Sequence, residues 1–86
     1  MAYTVELNTS AQRDYKNLDR SIALRIDAAI AALEQDPRPD GCVKLSGKEH
    51  TYRVRVGSYR IVYAIDDRPR TVSIKHIQHR REVYRR

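Results

Sequence analysis

Tyr52-Arg53-Val54-Arg55-Val56-Gly57-Ser58-Tyr59-Arg60-Ile61-Val62-Tyr63 is the stretch whose reading decides the fold. Tyr52, Val54 and Val56 alternate with Arg53 and Arg55, the period of a strand with one buried face. Gly57-Ser58 then breaks the alternation. A two-residue loop with glycine first suits a type II′ turn, so Tyr59 to Ile65 is expected to return antiparallel beside the first strand. The turn sets the register. Val56 faces Tyr59, Val54 faces Ile61 and Tyr52 faces Tyr63 on one side, while Arg55 faces Arg60 and Arg53 faces Val62 on the other.

Outward from this hairpin, Asp66-Asp67-Arg68-Pro69-Arg70 reads as a turn, and Thr71 to Ile77 as a further strand through Val72, Ile74 and Ile77. On the other side, Pro37, Pro39 and Gly41 mark a surface loop, and Pro37 obliges the preceding helix to stop near Asp36. That helix carries an apolar stripe of Ile22, Ile26, Ile30 and Leu33, backed by Ala23, Ala28, Ala29, Ala31 and Ala32, small residues that allow close packing. A shorter helix precedes it, with Ala11, Tyr15 and Leu18 in phase, a cap at Thr9 or Ser10 and a break from Asn17 to Asp19. Tyr3, Val5 and Leu7 alternate as a first strand. The expected fold is α+β: an N-terminal strand, a helical hairpin, then a mainly antiparallel three-stranded stretch completing one small sheet, with helices over one face. A short basic tail or helix follows from His79 to Arg86. At 86 residues the chain has room for one core, and residues 1–86 are read as a single domain.

Charge divides the chain. Residues 1–43 hold five basic and seven acidic side chains, whereas residues 44–86 hold twelve basic and four acidic, so the net +6 conceals a second half at +8. Thirteen of the seventeen basic residues are arginine, whose planar fork suits phosphate, and a polyanion such as nucleic acid is the leading partner class. The paired strands sharpen this expectation. Arg55 opposite Arg60 is a like-charge cross-strand pair, unfavourable by roughly a few tenths to one kcal/mol, with no acid in either strand before Asp66. An anion is expected over that face. Arg80, Arg81, Arg85 and Arg86 add to the same charge.

Other function classes drop out. One cysteine, Cys42, forms no intramolecular disulfide and no zinc cluster. His76 and His79 lack a helix signal or nearby Cys or Asp ligands, so they read as a strand residue and a site-edge residue, with no metal and no cofactor expected. His50 reads as a strand-edge residue. No run approaches the roughly 18 apolar residues of a bilayer span, and the first residues carry an acid where a signal peptide is apolar. A cytoplasmic protein with no membrane partner is expected. Tyr52 and Tyr63 fall on the core face, and Tyr59 is either core edge or base-stacking platform.

Lys44-Leu45-Ser46-Gly47, then Tyr52-Arg53-Val54-Arg55 with Tyr59-Arg60-Ile61-Val62-Tyr63, then His79-Arg80-Arg81-Glu82-Val83-Tyr84, resemble the RelE/ParE toxins of bacterial toxin–antitoxin pairs in order and spacing. The resemblance spans nearly the whole chain and implies a RelE-type mRNA interferase, a ribosome-dependent endoribonuclease that inhibits translation. It implies partners too: the ribosome, messenger RNA in the A site, and a cognate RelB-like antitoxin with an acidic or amphipathic inhibitory segment. By position, Arg53, Arg55 and Arg60 would clamp the scissile phosphate and its neighbours, and Arg80 would stabilise the charge or leaving oxygen. Tyr84 would be the general base, with His79 its rival. Lys44, Lys48, Arg81, Arg85 and Arg86 would contact RNA. RNA brings its own nucleophile in the 2′-hydroxyl, so orientation and charge stabilisation suffice without a metal, and the product would be a 2′,3′-cyclic phosphate. Relatives carry lysine at the positions of Arg53 and Arg55. Arginine does not release its proton, so these two would act by charge and geometry alone. Two alternatives share the fold: a ParE-type toxin that inhibits DNA gyrase without RNA chemistry, and a chain that only partners its antitoxin.

Overall fold

A computed structural model describes residues 2–80. Strand β1 (Thr4–Leu7) leads into helices α1 (Thr9–Lys16) and α2 (Arg20–Gln35), after which β2 (Val43–Lys44), β3 (Thr51–Val56), β4 (Tyr59–Asp66) and β5 (Thr71–His79) follow. The five strands form one sheet in the order β1-β5-β4-β3-β2. β1 runs parallel to β5, and every other pairing is antiparallel. The α+β order expected from the sequence is the order found, with one strand more.

The hairpin pairs as the turn dictates. Val56 lies across from Tyr59, Arg55 from Arg60, Val54 from Ile61, Arg53 from Val62 and Tyr52 from Tyr63. Gly57 has φ +61, and Ser58 is not among the positive-φ residues. Only the first central position thus needs the conformation that glycine tolerates, as a type II′ turn requires. One face of the sheet packs under the helices. Ile61, Tyr63 and Ile65 of β4 and Val72, Ile74 and Ile77 of β5 join Ile26 and Leu33 of α2 and Ala11 of α1 in the buried core.

Val72, Ile74 and Ile77 are spaced two and then three apart, which a regular strand cannot keep on one face. A bulge resolves it. The β4–β5 register slips between Val62, opposite His76, and Tyr63, opposite Ile74, leaving Lys75 exposed as the extra residue. Beyond the bulge the phase is restored with Ile77 inward and His76 and Gln78 on the opposite face.

Several local expectations are corrected. The cap of α1 is Asn8, whose side chain accepts from the Ala11 amide at 2.9 Å, and neither Thr9 nor Ser10. β2 was not foreseen, because two residues carry no alternation. Pro37 is buried within the expected surface loop, and its carbonyl accepts the Tyr63 hydroxyl at 2.9 Å. Of the α2 alanines, Ala28, Ala31 and Ala32 are exposed, so the close packing falls to Ala29. His50 precedes β3 with φ +56, and its carbonyl accepts the Ile65 amide. The tail expected from His79 starts later, because β5 runs through His79, and from residue 81 onward it lies outside the described residues.

Candidate functional site

The sheet face away from the helices presents two cross-strand rows of side chains. Arg55, Arg60 and Gln78 form one, and Arg53, Val62 and His76 the other, each read across β3, β4 and β5. Directly opposed residues sit about 4.5–5.5 Å apart at Cα, so each row is one continuous strip. The hairpin register puts three arginines here, and the bulge in β5 adds His76 and Gln78.

At the hairpin tip Arg55, Arg60 and Arg80 line a notch of about 80 Å³ with Gly57, Ser58 and Tyr59, and among the described residues no acidic side chain lines it. Arg80 is fixed by its backbone, whose amide donates to the Ser58 carbonyl at 2.8 Å. A second arginine approach comes from outside the sheet. The Arg25 guanidinium of α2 lies against Gly57, where an added Cβ would stand 2.9 Å from Nη1. Sequence patterning gave no hint of it, because Arg25 belongs to the half of the chain with net negative charge. A guanidinium keeps its charge at any ordinary pH, so the notch can hold an anion and polarise it but cannot shuttle a proton through these groups.

Next to the notch, and sharing Arg60 with it, a groove of about 230 Å³ lies along the same face. Arg53 and Lys48 stand on its walls and Gln78, His76 and Val62 along the sheet. The structure therefore brings together Arg53, Arg55, Arg60, Arg80 and Lys48 from the set expected of an RNA site. It does not bring Lys44, which pairs with Tyr52 and so belongs to the side the helices cover. His79 pairs with Tyr59 and meets its ring edge-on, centroids 5.1 Å apart, also toward the helix side and away from Arg60 and Gln78. Tyr59 packs on the core, the first of its two readings, and also lines the notch. Tyr84, Arg81, Arg85 and Arg86 lie outside the described residues. His76 and Gln78, which sequence reasoning left unused on this face, were readable only through the bulge implied by the spacing of Val72, Ile74 and Ile77.

At the opposite end of the sheet a polar cluster ties the helix-to-strand loop down. Arg38 makes a two-pronged pair with Asp67 at 2.9 and 3.3 Å, lies over the Tyr52 ring, and Asp67 also accepts the Tyr3 hydroxyl at 2.7 Å. The Arg38 and Tyr3 hydrogen bonds hold the Asp67 carboxyl below its usual range, and the same carboxylate pushes the Tyr3 phenol up. Among the described residues no cluster of His, Cys, Asp or Glu could hold a metal ion, and no helix is long and apolar enough to cross a membrane.

A two-helix layer over a five-stranded sheet with parallel outer β1 is the fold of the RelE-type toxins. The isolated RelE toxin of Escherichia coli shares it with a TM-score of 0.81 at 19% identity, covering 98% of both chains. A chain of the toxin–antitoxin complex RelBE2 from Mycobacterium tuberculosis superposes with a TM-score of 0.81 at 32% identity, over 92% of this chain and 99% of that one. Residues 5–84 match the family described as ParE toxin of type II toxin-antitoxin system, parDE, and toxin RelG of Mycobacterium tuberculosis is 37% identical over the full length of both chains. The chain belongs to this RelE/ParE family of toxins.

Proposed function

We propose that this toxin is a ribosome-dependent endoribonuclease that cuts messenger RNA in the A site without a metal. The observation that carries the reading is the notch at the β3–β4 tip, where Arg55, Arg60 and Arg80 converge beside Gly57, Ser58 and Tyr59. In the reaction the 2′-oxygen attacks the adjacent phosphorus as its proton passes to a general base. The new bond is O2′–P and the broken one P–O5′. The products are a 2′,3′-cyclic phosphate and a 5′-oxygen that takes up a proton. Charge builds on the phosphoryl oxygens in the transition state, and preorganised guanidinium donors aimed there are the protein's largest lever. Arg53, on the neighbouring row, holds a flanking phosphate. Tyr84 is favoured as the base, because His79 is engaged with Tyr59 on the helix side.

The arginine face also suits an acidic segment of a cognate antitoxin, which would silence the toxin by occupying the same notch. A second reading has one observation in its favour, the ParE description of the matching family, and it makes the arginine face a surface for DNA gyrase.

RNA ends mapped after incubation of the toxin with messenger RNA, with and without programmed ribosomes, separate the two. Cuts in the A-site codon that need the ribosome, and that Arg60→Ala removes, are the expected result. A chain that stays toxic and stalls gyrase without cutting RNA overturns the proposal in favour of the second reading.

A further inference from the structure

Gln78 is only 7% exposed, yet among the described residues its amide makes no hydrogen bond, and none of its polar atoms is both fully buried and unpaired. The amide head therefore opens where the side chain lines a cavity, which is the groove beside the notch. A buried amide offered to a groove without a protein partner is a recognition group awaiting a ligand, since it presents two donors and an acceptor in one plane.

The surroundings say which ligand. Val62 and Leu45 give the groove an apolar floor, and the His76 imidazole stands next to Gln78 on β5 with an aromatic plane. Lys48 and Arg53 supply cations along the walls. An apolar floor, a ring and one planar amide suit a flat heterocycle with alternating donors and acceptors, and the cations suit the phosphates on either side of it. At about 230 Å³ the groove lies below the roughly 300–1,000 Å³ of sites for drug-sized ligands, which fits one ring system. Single-stranded RNA is ordinarily read in this way, with an unstacked base laid on a side-chain plane and bonded along its edge.

We infer that the groove seats one unstacked nucleobase next to the scissile phosphate, that His76 supplies the plane beside it and that Gln78 reads its identity. The inference rests on the nuclease reading. Arg60 belongs to both cavities, so a phosphate held in the notch fixes how far the neighbouring base can reach into the groove. Base preference is then built into this face and is not supplied by the ribosome alone.

The test uses ribosomes programmed with four messages that differ by one base at each position flanking the cut, challenged with wild type, Gln78→Leu and His76→Ala. The thermal midpoint of each variant checks its fold. At one position the wild type should discriminate by about tenfold between best and worst base, the scale of a bidentate edge contact. In Gln78→Leu the rate on the preferred base should fall toward the others and flatten the difference to within about threefold. His76→Ala should lower cutting of all four messages by removing the plane. Unchanged discrimination in both folded variants overturns the inference and leaves the nuclease intact, and it does so equally if the variants instead lose affinity for the antitoxin. Cutting by the wild type without base preference has the same effect. Absence of any cut by the wild type overturns the nuclease reading and this inference together.

Discussion

Gly57 holds φ +61 at the hairpin tip, a conformation that costs an L-residue roughly 1–2 kcal/mol, with the Arg25 guanidinium resting where a Cβ would go. Arg25 is the far end of a flexible side chain and can move aside. The backbone cannot. Gly57→Ala should therefore destabilise the fold by about 1–2 kcal/mol, read as a lower urea midpoint with an unchanged slope. Moving Arg25 and the hairpin tip also disturbs the notch, so cleavage should fall further than stability alone explains. Arg60→Ala and Arg80→Ala make the complementary case. Arg60 faces Arg55 across the strands and both line the notch, so its removal takes charge and no core and should abolish cutting while the fold is kept, checked by the thermal midpoint. Near-wild-type turnover in a folded Arg60→Ala, Arg80→Ala double variant would remove these residues from the site.

Among the elements, α1 has a task beyond burying Ala11. β1 pairs with β5 only as far as Leu7 opposite Ile74, and past that point α1 takes over the edge. The Asn8 amide donates to the Ile74 carbonyl at 3.0 Å, and Asp14 accepts the Ile77 amide at 3.0 Å. A helix side chain thus completes the ladder of an interior strand. Asp14→Ala leaves that amide without its partner and should cost about 1–3 kcal/mol in denaturant titration, whereas Asn8→Ala, which loses the cap of α1, should cost about 1 kcal/mol. Legibility in the sequence follows the same division. The β3–β4 register could be read because alternation and a glycine-first turn fix it twice over. The stripe of α2 was readable for the same reason, with Ile26 and Leu33 fully buried. Three adjacent residues, Asn8, Thr9 and Ser10, can all cap a helix, and sequence does not choose among them. β2 is two residues held by β3 alone, too short to leave a pattern. The arginines of the notch were legible as a face, but their meeting with Arg80 depends on a backbone bond to Ser58, and Gln78 and His76 depend on a bulge.

At the scale of the whole molecule the two ends of the sheet respond to different variables. Asp67, held low by Arg38 and Tyr3, contributes stability that is present above the unfolded carboxylate pKa of about 3.9 and is lost as pH falls below it. Tyr63, pushed up by burial and by Cys42, and Tyr3, pushed up by Asp67, contribute stability that is present below about pH 10 and lost as pH rises beyond it. The thermal midpoint should be flat between these limits and fall outside both. In Asp67→Asn the midpoint should be lower at neutral pH and its acid fall shallower. The arginine end answers to salt. Several neutralised phosphates imply counterion release, so RNA affinity should drop steeply as salt rises from about 50 to 200 mM, and a flat response would detach the arginine face from RNA.

β5 lies between β1 and β4 although it is the last of the five strands in the chain. During synthesis β1 emerges first and then waits, its parallel partner unavailable until residues 71–79 have followed, so the sheet cannot zip up in the order in which it is made. Arg80 reaches Ser58 only once β5 has docked against β4. The notch that Arg80 closes against Ser58 is therefore among the last features of the fold to assemble, and a chain halted before β5 lacks it.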